Sequence, residues 1–600
     1  MNTKKLKIQI IQLAFVGIVL FSLNGCKSDL LDTVPYESIS SEYIWGSANL
    51  ARQAVTGVYN QIRIADYQNN DGNRAMWDTF SQVYDLDLNW RNDLPVLQGN
   101  ATTSSGLFNN KWRRYYEVIH RANNVIANID DVPDMSAEQK AQYKAEIKFI
   151  RAYYYRYLNM CWRGVPIYLE PINVSECIRP RSSEQEVWTV ILQDLTDCIN
   201  EPNLPLKYAA TSGDYGRVTK GAAHALRGKV YMWLEDWEKA EADFKAVGTM
   251  GYSLFTGEGG YKALFKEVNE RCDEMIFSVQ SLPLAGNSHQ LTRGYGNRVT
   301  AGSAWNNYIV NPAFAESFEC ADGKPFNWED VLPGYSSMTP QARSVFFLRD
   351  NMTAAEISTM TTFGADMSHY LPDGNEARIK AIFDNRDPRL HYNIITPYST
   401  YLGGIGGVAR DYTLRWPYRG SNEGGGFDLQ TDTNSKYYYL VRKFVPEGTE
   451  YGTNININPI DIPLIRYADV LLHLAEALNE QGKTDEAIPL VNEIRRRVGH
   501  QELNTNSYTT VNGQADMRER IRNEWYWELP FEEHLFFHEL RWGTWKAKKF
   551  DSPMNGMREI WGLATYTYTW GGDHLWVWPI PRGEREMNPN LVQTPGWENL

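Results

Sequence analysis

Cysteine is scarce in this chain, and its placement excludes more than it offers. Six cysteines serve 600 residues. Cys161, Cys177, Cys198, Cys272 and Cys320 lie scattered through the body with no C-x-x-C pair, so a zinc ribbon or a thioredoxin-like site has no support. An odd count at such spacing means that the fold does not depend on a disulfide framework; one bridge is open and unassigned. Long apolar runs are also missing after residue 23, and a membrane span needs roughly 20 mostly apolar residues. Basic charge falls short of acidic charge, 60 side chains against 73, which argues against a nucleic-acid backbone as partner.

Catalytic signatures are absent in the same way. Gly403-Gly404-Ile405-Gly406-Gly407 lacks the lysine and hydroxyl of a phosphate-binding loop. No Gly-x-Ser-x-Gly elbow stands out. His534 and His538 have an i, i+4 zinc spacing but not the H-E-x-x-H order. Asp85-x-Asp87-x-Asn89 alternates side-chain oxygens, yet no glycine follows where a calcium loop needs one. No metal or other cofactor is indicated, and a structural calcium ion is left open.

What is present begins at the N-terminus. Lys4, Lys5 and Lys7 precede an apolar run from Ile8 to Leu23, which is too short to span and has the make-up of a secretory signal. Leu23-Asn24-Gly25-Cys26 resembles a bacterial lipobox, with Asn24 where Ala or Ser is more usual. On that reading residues 1–25 are removed and Cys26 carries the lipid. Each buried methylene contributes about 0.8 kcal/mol, and two or more chains hold firmly. The alternative is a plain secretory signal with an incidental cysteine. Without residues 1–25 the body has 57 basic and 73 acidic side chains, a net −16. Residues 26–43 form an extended lead-in, and residues 44–600 the body.

Helical periodicity dominates the body. Ala51, Val55, Val58 and Ile62 share one face, as do Tyr116, Ile119, Ala122, Val125 and Ile126. Two stretches, 220–254 and 466–499, each read as helix, polar turn and helix in about 34 residues, the tetratricopeptide period. With pairs over 51–129 and 141–199, this predicts a mostly α fold of about four helix pairs. A loop-rich insertion over 255–459, with glycine clusters and isolated aromatics, splits the pairs. It carries a few short strands, with 275–280 and 437–444 as candidates, and residues 500–600 close the chain.

Several motifs now resemble one family in order: LLDTVPYESIS after Cys26, RVTKGAAHALRGKVYMWLEDWEKA at 217–240, DNRDPRL at 384–390, and PLIRYADVLLHLAEALNEQG at 463–482. ELPFEEHLFFHELRWG at 528–543 and WPIPRGEREMNPNLVQTPGW at 578–597 complete the set. The chain resembles the SusD/RagB outer-membrane lipoproteins of Bacteroidetes nearly end to end. It departs at Glu533-His534-Leu535, where the family often has Gly-His-Arg, and at His538-Glu539, where it often has Asp-Leu. The resemblance implies a cell-surface protein that binds oligosaccharide without chemistry and passes it to a SusC-like TonB-dependent transporter. Peptide-binding branches exist, and a helical glycoside hydrolase is the enzymatic alternative, since paired carboxylates at a fixed separation cannot be excluded among 73 acids.

A sugar presents apolar C–H faces and a hydroxyl rim, so its binding calls for flat aromatics beside planar polar groups. Trp and Tyr number 20 and 36, and most will pack inside. Those in Asn- and Gly-rich loops are better candidates. Two loops qualify, 66–96 and 289–307. From them Trp90 and Trp305 are expected as platforms and Asp87, Arg91 and Asn306 as hydroxyl partners, with Trp77 and Tyr295 as further ligand-binding aromatics. The segment 411–420 (DYTLRWPYRG) is a weaker third candidate.

Overall fold

The computed structural model describes residues 41–67, 77–86, 94–420, 426–450 and 452–600. Eight long helices form the frame: α1 (Ala48–Asp66), α2 (Gly106–Asn128), α3 (Ala137–Trp162), α4 (Glu184–Asn200), α5 (Lys220–Trp233), α6 (Trp237–Gly248), α7 (Tyr467–Glu480) and α8 (Thr484–Arg497). Each packs on the next in order, α6 on α7 included, although over 200 residues separate those two in sequence. The mostly α, helix-pair architecture expected from the sequence is therefore present, and the insertion leaves the stack without interrupting it. α9 (Gln514–Glu528) packs across α7 and α8, and α10 (Leu535–Arg541) follows it.

Local chemistry sets the helix ends. Ser136, Ser183, Thr219 and Asp236 cap α3 to α6, each accepting a backbone N–H of the first turn through its side chain. Small residues set the spacing within pairs. Ala222, Ala225, Ala240, Ala468, Ala475, Ala477 and Ala487 are all fully buried. Gly228 on α5 touches the Phe244 ring of α6 so closely that a Cβ would lie 2.6 Å from Cε1.

The insertion is stapled at both ends. β2 (Met275–Val279) near its start pairs antiparallel with β9 (Ile462–Arg466) at its end, Met275 facing Arg466 and Val279 facing Ile462. β9 runs directly into α7. A second sheet has the order β1-β3-β8-β4, from Tyr84–Leu86, Tyr308–Val310, Tyr439–Val441 and Ile394–Ile395, and a third joins β5 (Thr400–Gly403), β6 (Arg410–Thr413) and β7 (Phe427–Asp428). Strands were expected near 275–280 and 437–444, and both places hold one. β1 was not expected: the stretch 66–96, read as a loop, contributes an edge strand to the insertion's own sheet.

Three of the motifs that carry the family resemblance, at 384–390, 463–482 and 528–543, meet in one buried ionic network. Arg466 lies 2.7 Å from Glu274, 2.6 Å from Glu528 and 2.8 Å from Glu532, all wholly buried. Arg389 joins Asp387, Glu524 and Glu528, and Arg495 joins Glu524 and Glu319. Lys443 reaches Glu532 at 2.6 Å. Insertion, α8, α9 and the turn before α10 are thus tied by charges that water does not reach. The C-terminal motif closes on α3, where the Trp162 indole donates to the Pro579 carbonyl at 2.7 Å and the Trp578 amide to the Cys161 carbonyl at 2.8 Å. All five described cysteines are unpaired. Among the described residues no helix is long and apolar enough to cross a membrane.

Candidate functional site

The β1–β3 pair brings the two candidate loops to one place. Tyr84 faces Val310, Asp85 faces Ile309 and Leu86 faces Tyr308 in antiparallel register. Chain leaving β1 after Leu86 and chain entering β3 before Tyr308 therefore meet at the same end of the sheet. Asp87, Trp90 and Arg91, which follow Leu86, lie outside the described residues. On the β3 side stands Trp305, half-buried at the close of a turn that starts from a short helix, Leu291–Tyr295. Its amide donates to the Arg293 carbonyl at 3.0 Å, and the Arg293 guanidinium covers one face of its indole at 3.9 Å from the centroid. Arg293 has no carboxylate partner among the described residues, and burial lowers its pKa. A cation held over one ring face, worth on the order of 0.5–2 kcal/mol, fixes the indole plane.

The turn itself is rigidly tied. Ser303 and Asn306 both take positive φ, 62° and 36°. The Asn306 amide donates to the Gly296 carbonyl at 2.6 Å, and its side-chain oxygen accepts the Asp432 amide at 2.8 Å. Arg298 forms an ion pair with Asp432 and takes the Gln430 carbonyl through its own amide. The 289–307 and 430–432 segments are thereby joined beside Trp305.

Three of the sequence-based expectations are corrected by packing. Trp77 is 3% exposed and lies in a near-parallel stack between Tyr157 and Phe536, with centroids at 5.8 and 5.9 Å. Tyr295 is fully buried, its hydroxyl within 3.3 Å of that of Tyr84 and donating to Glu533 at 3.4 Å. Asn306 is fully buried as well, and its side-chain oxygen serves the loop instead of a ligand. Neither aromatic face is open, because both rings pack the core beneath the sheet. The weaker candidate at 411–420 is also spent. Trp416 packs against Tyr437 and Trp561, and Arg415 and Arg419 pair with Glu376, Asp428 and Glu356. Among the described residues, Trp305 is the expected platform that stays partly exposed. Arg293 was missed; nothing in its spacing marks it, since the Leu291–Tyr295 turn and the return at Trp305 are tertiary.

Behind this site lies an unusual acid pair. Asp78 and Glu533 exchange hydrogen bonds, each side chain accepting the other's backbone N–H, at 3.1 and 3.2 Å. Glu533 also accepts from the Tyr84 hydroxyl at 3.2 Å, so β1 rests on it. Burial pushes Asp78 up to about 7 and Glu533 well above its ordinary value. Glu533 sits at φ +66, in the place where the family pattern often has glycine, and its carboxyl replaces what a glycine would leave empty. His538 packs in the core, its ring centroid 4.0 Å from that of Trp525.

Comparison with known proteins agrees with this architecture. The SusD family model matches residues 273–597, and a model described as starch-binding, associating with the outer membrane, matches 29–232. SusD-like protein P25 of Formosa agariphila is 23% identical over 97% of both chains. The starch-binding protein SusD of Bacteroides thetaiotaomicron is 23% identical over 78% of this chain and 75% of that one. In fold, a SusD-like protein from Bacteroides fragilis superposes with a TM-score of 0.70 at 23% identity, covering 94% of this chain and all of the other. A laminarin-binding SusD-like protein gives 0.60 at 21%, covering 92% and 99%. Matched by its family model over more than half its length, the chain belongs to the SusD/RagB family.

Proposed function

We propose that this protein is a surface lipoprotein, anchored through Cys26 in the outer membrane, that binds oligosaccharide non-catalytically and hands it to a TonB-dependent transporter. The observation that carries the reading is Trp305, a half-buried indole with its plane fixed by Arg293 at 3.9 Å, near the sheet end where Leu86 pairs with Tyr308. A ring held rigidly and left partly exposed is what sugar C–H stacking uses, and it loses little entropy on binding. Trp90, with Asp87 and Arg91, completes the site in this proposal. The names of the relatives, which include a starch-binding protein and a laminarin-binding one, support glycan as the ligand class. A hydrolase would need an acid and a second carboxyl facing each other across a cleft. The raised acids Asp78 and Glu533 instead face backbone amides in the core. The test is electrophoresis through gels containing soluble polysaccharides, run beside a reducing-end assay. Retarded migration with no new reducing ends is the expected result. New ends that vanish when one acid is changed would overturn the non-catalytic reading.

A further inference from the structure

One cavity away from Trp305 stands apart by its charge. A groove of about 650 Å³ runs between α1, the turn at Tyr215–Arg217 and β2 with the segment after it, a size within the ~300–1,000 Å³ of ligand pockets. In a chain of net charge −13, its walls carry three arginines and no carboxylate. Arg217 is neutralised by buried Glu146. Arg52 and Arg63 have no acid partner among the described residues. Arg52, exposed at the mouth, donates only to the Tyr143 hydroxyl. Arg63 is 6% exposed; one of its terminal nitrogens donates to the side-chain oxygens of Asn60 and Asn287, both neutral amides, and its Nε has no partner. Ser278, 9% exposed on β2, lines the same groove with an unpartnered Oγ.

A buried guanidinium without a counter-charge is costly, several kcal/mol for an ion taken out of water, and burial lowers the Arg63 pKa accordingly. Its planar fork of donors matches a carboxylate. One uncompensated buried cation balances a single negative charge, which favours a carboxylate over a phosphate dianion. The surrounding amides of Asn60, Gln280 and Asn287 can both give and accept hydrogen bonds, as sugar hydroxyls require. We propose that this groove is a second ligand site that takes an acidic sugar, its hexuronate carboxylate seated between Arg63 and the Ser278 hydroxyl with Arg52 at the mouth. The claim stands independently of the Trp305 face.

The test is calorimetric titration of the full chain in detergent with galacturonate and glucuronate, and with galactose, glucose and acetate as controls. The uronates bind, and the neutral hexoses and acetate bind at least ~10-fold more weakly. Arg63→Gln weakens uronate binding ~10–100-fold, the loss of a charge-assisted hydrogen bond. Arg52→Gln, at an exposed position, weakens it several-fold and decides the matter if thermal melting shows Arg63→Gln to be unfolded. Trp305→Ala leaves uronate affinity unchanged, which separates failure here from failure of the Trp305 reading. No uronate binding up to ~10 mM by folded protein, acetate binding as tightly as the uronates, or unaltered affinity in the folded arginine variants would overturn the proposal.

Discussion

At the scale of single residues, exposure decides which aromatic can meet a ligand. Trp77, Tyr295 and Trp305 look alike in sequence, yet the first two are buried and the third is only half-buried. Trp305→Ala is expected to weaken glycan binding by about 1–3 kcal/mol, by analogy with base stacking on aromatics, with an unchanged thermal midpoint; calorimetry and a melting curve check both. Glu533 makes a different kind of prediction. Asp78 titrates near 7 in the folded chain and Glu533 is raised too, both because burial disfavours the carboxylate. The native state then holds more protons than the unfolded chain from about pH 4 upward, so unfolding free energy falls as pH rises through about 7. Glu533→Gln removes one of the two buried charges. Urea titrations at about pH 5 and about pH 8 should show a fall in stability smaller than in the parent, by on the order of 1–3 kcal/mol. An identical fall in both proteins would mean that burial does not hold the Glu533 carboxyl in its neutral form.

At the scale of elements, the helices were legible and the sheet was not. The caps of α3 and α5 and the alanine spacing of α5 and α7 can be read from neighbours in sequence. β1 is three residues, Tyr84–Leu86, all buried, with no alternation to reveal it; its strand character comes from β3, more than 200 residues later. The ionic network is similar. Arg466, Glu528 and Glu532 lie in recognisable motifs, but their convergence with Arg389, Arg495 and Lys443 is a product of the fold. Removing one partner leaves the others charged and dry. Arg466→Leu should therefore cost about 3–5 kcal/mol, measured by chemical denaturation, and Arg466→Lys less. A loss below about 1 kcal/mol would mean that water reaches these carboxylates.

At the scale of the whole molecule, a long insertion grows out of a helical stack and is held at its base by the β2–β9 pair. The stack closes on itself through α6 and α7, so the insertion can vary without breaking the frame. This division of labour fits a tethered binding protein. In the proposed reading the tether is Cys26, which lies outside the described residues. Cys26→Ala should leave the body folded, with its melting curve unchanged, and shift it from the membrane to the soluble fraction on cell fractionation. Retention in the membrane fraction would contradict a lipid anchor at that residue.

The sequence by itself determined the helix pairs, their caps and close spacing, and the family. These rest on interactions between residues a few positions apart, or on motifs carried whole. Only the tertiary structure decided which aromatics are spent in the core, which arginines lack a counter-charge, and that Trp305 stands beside the end of β1. Burial and charge balance are sums over neighbours brought from everywhere in the chain, and no local pattern encodes them.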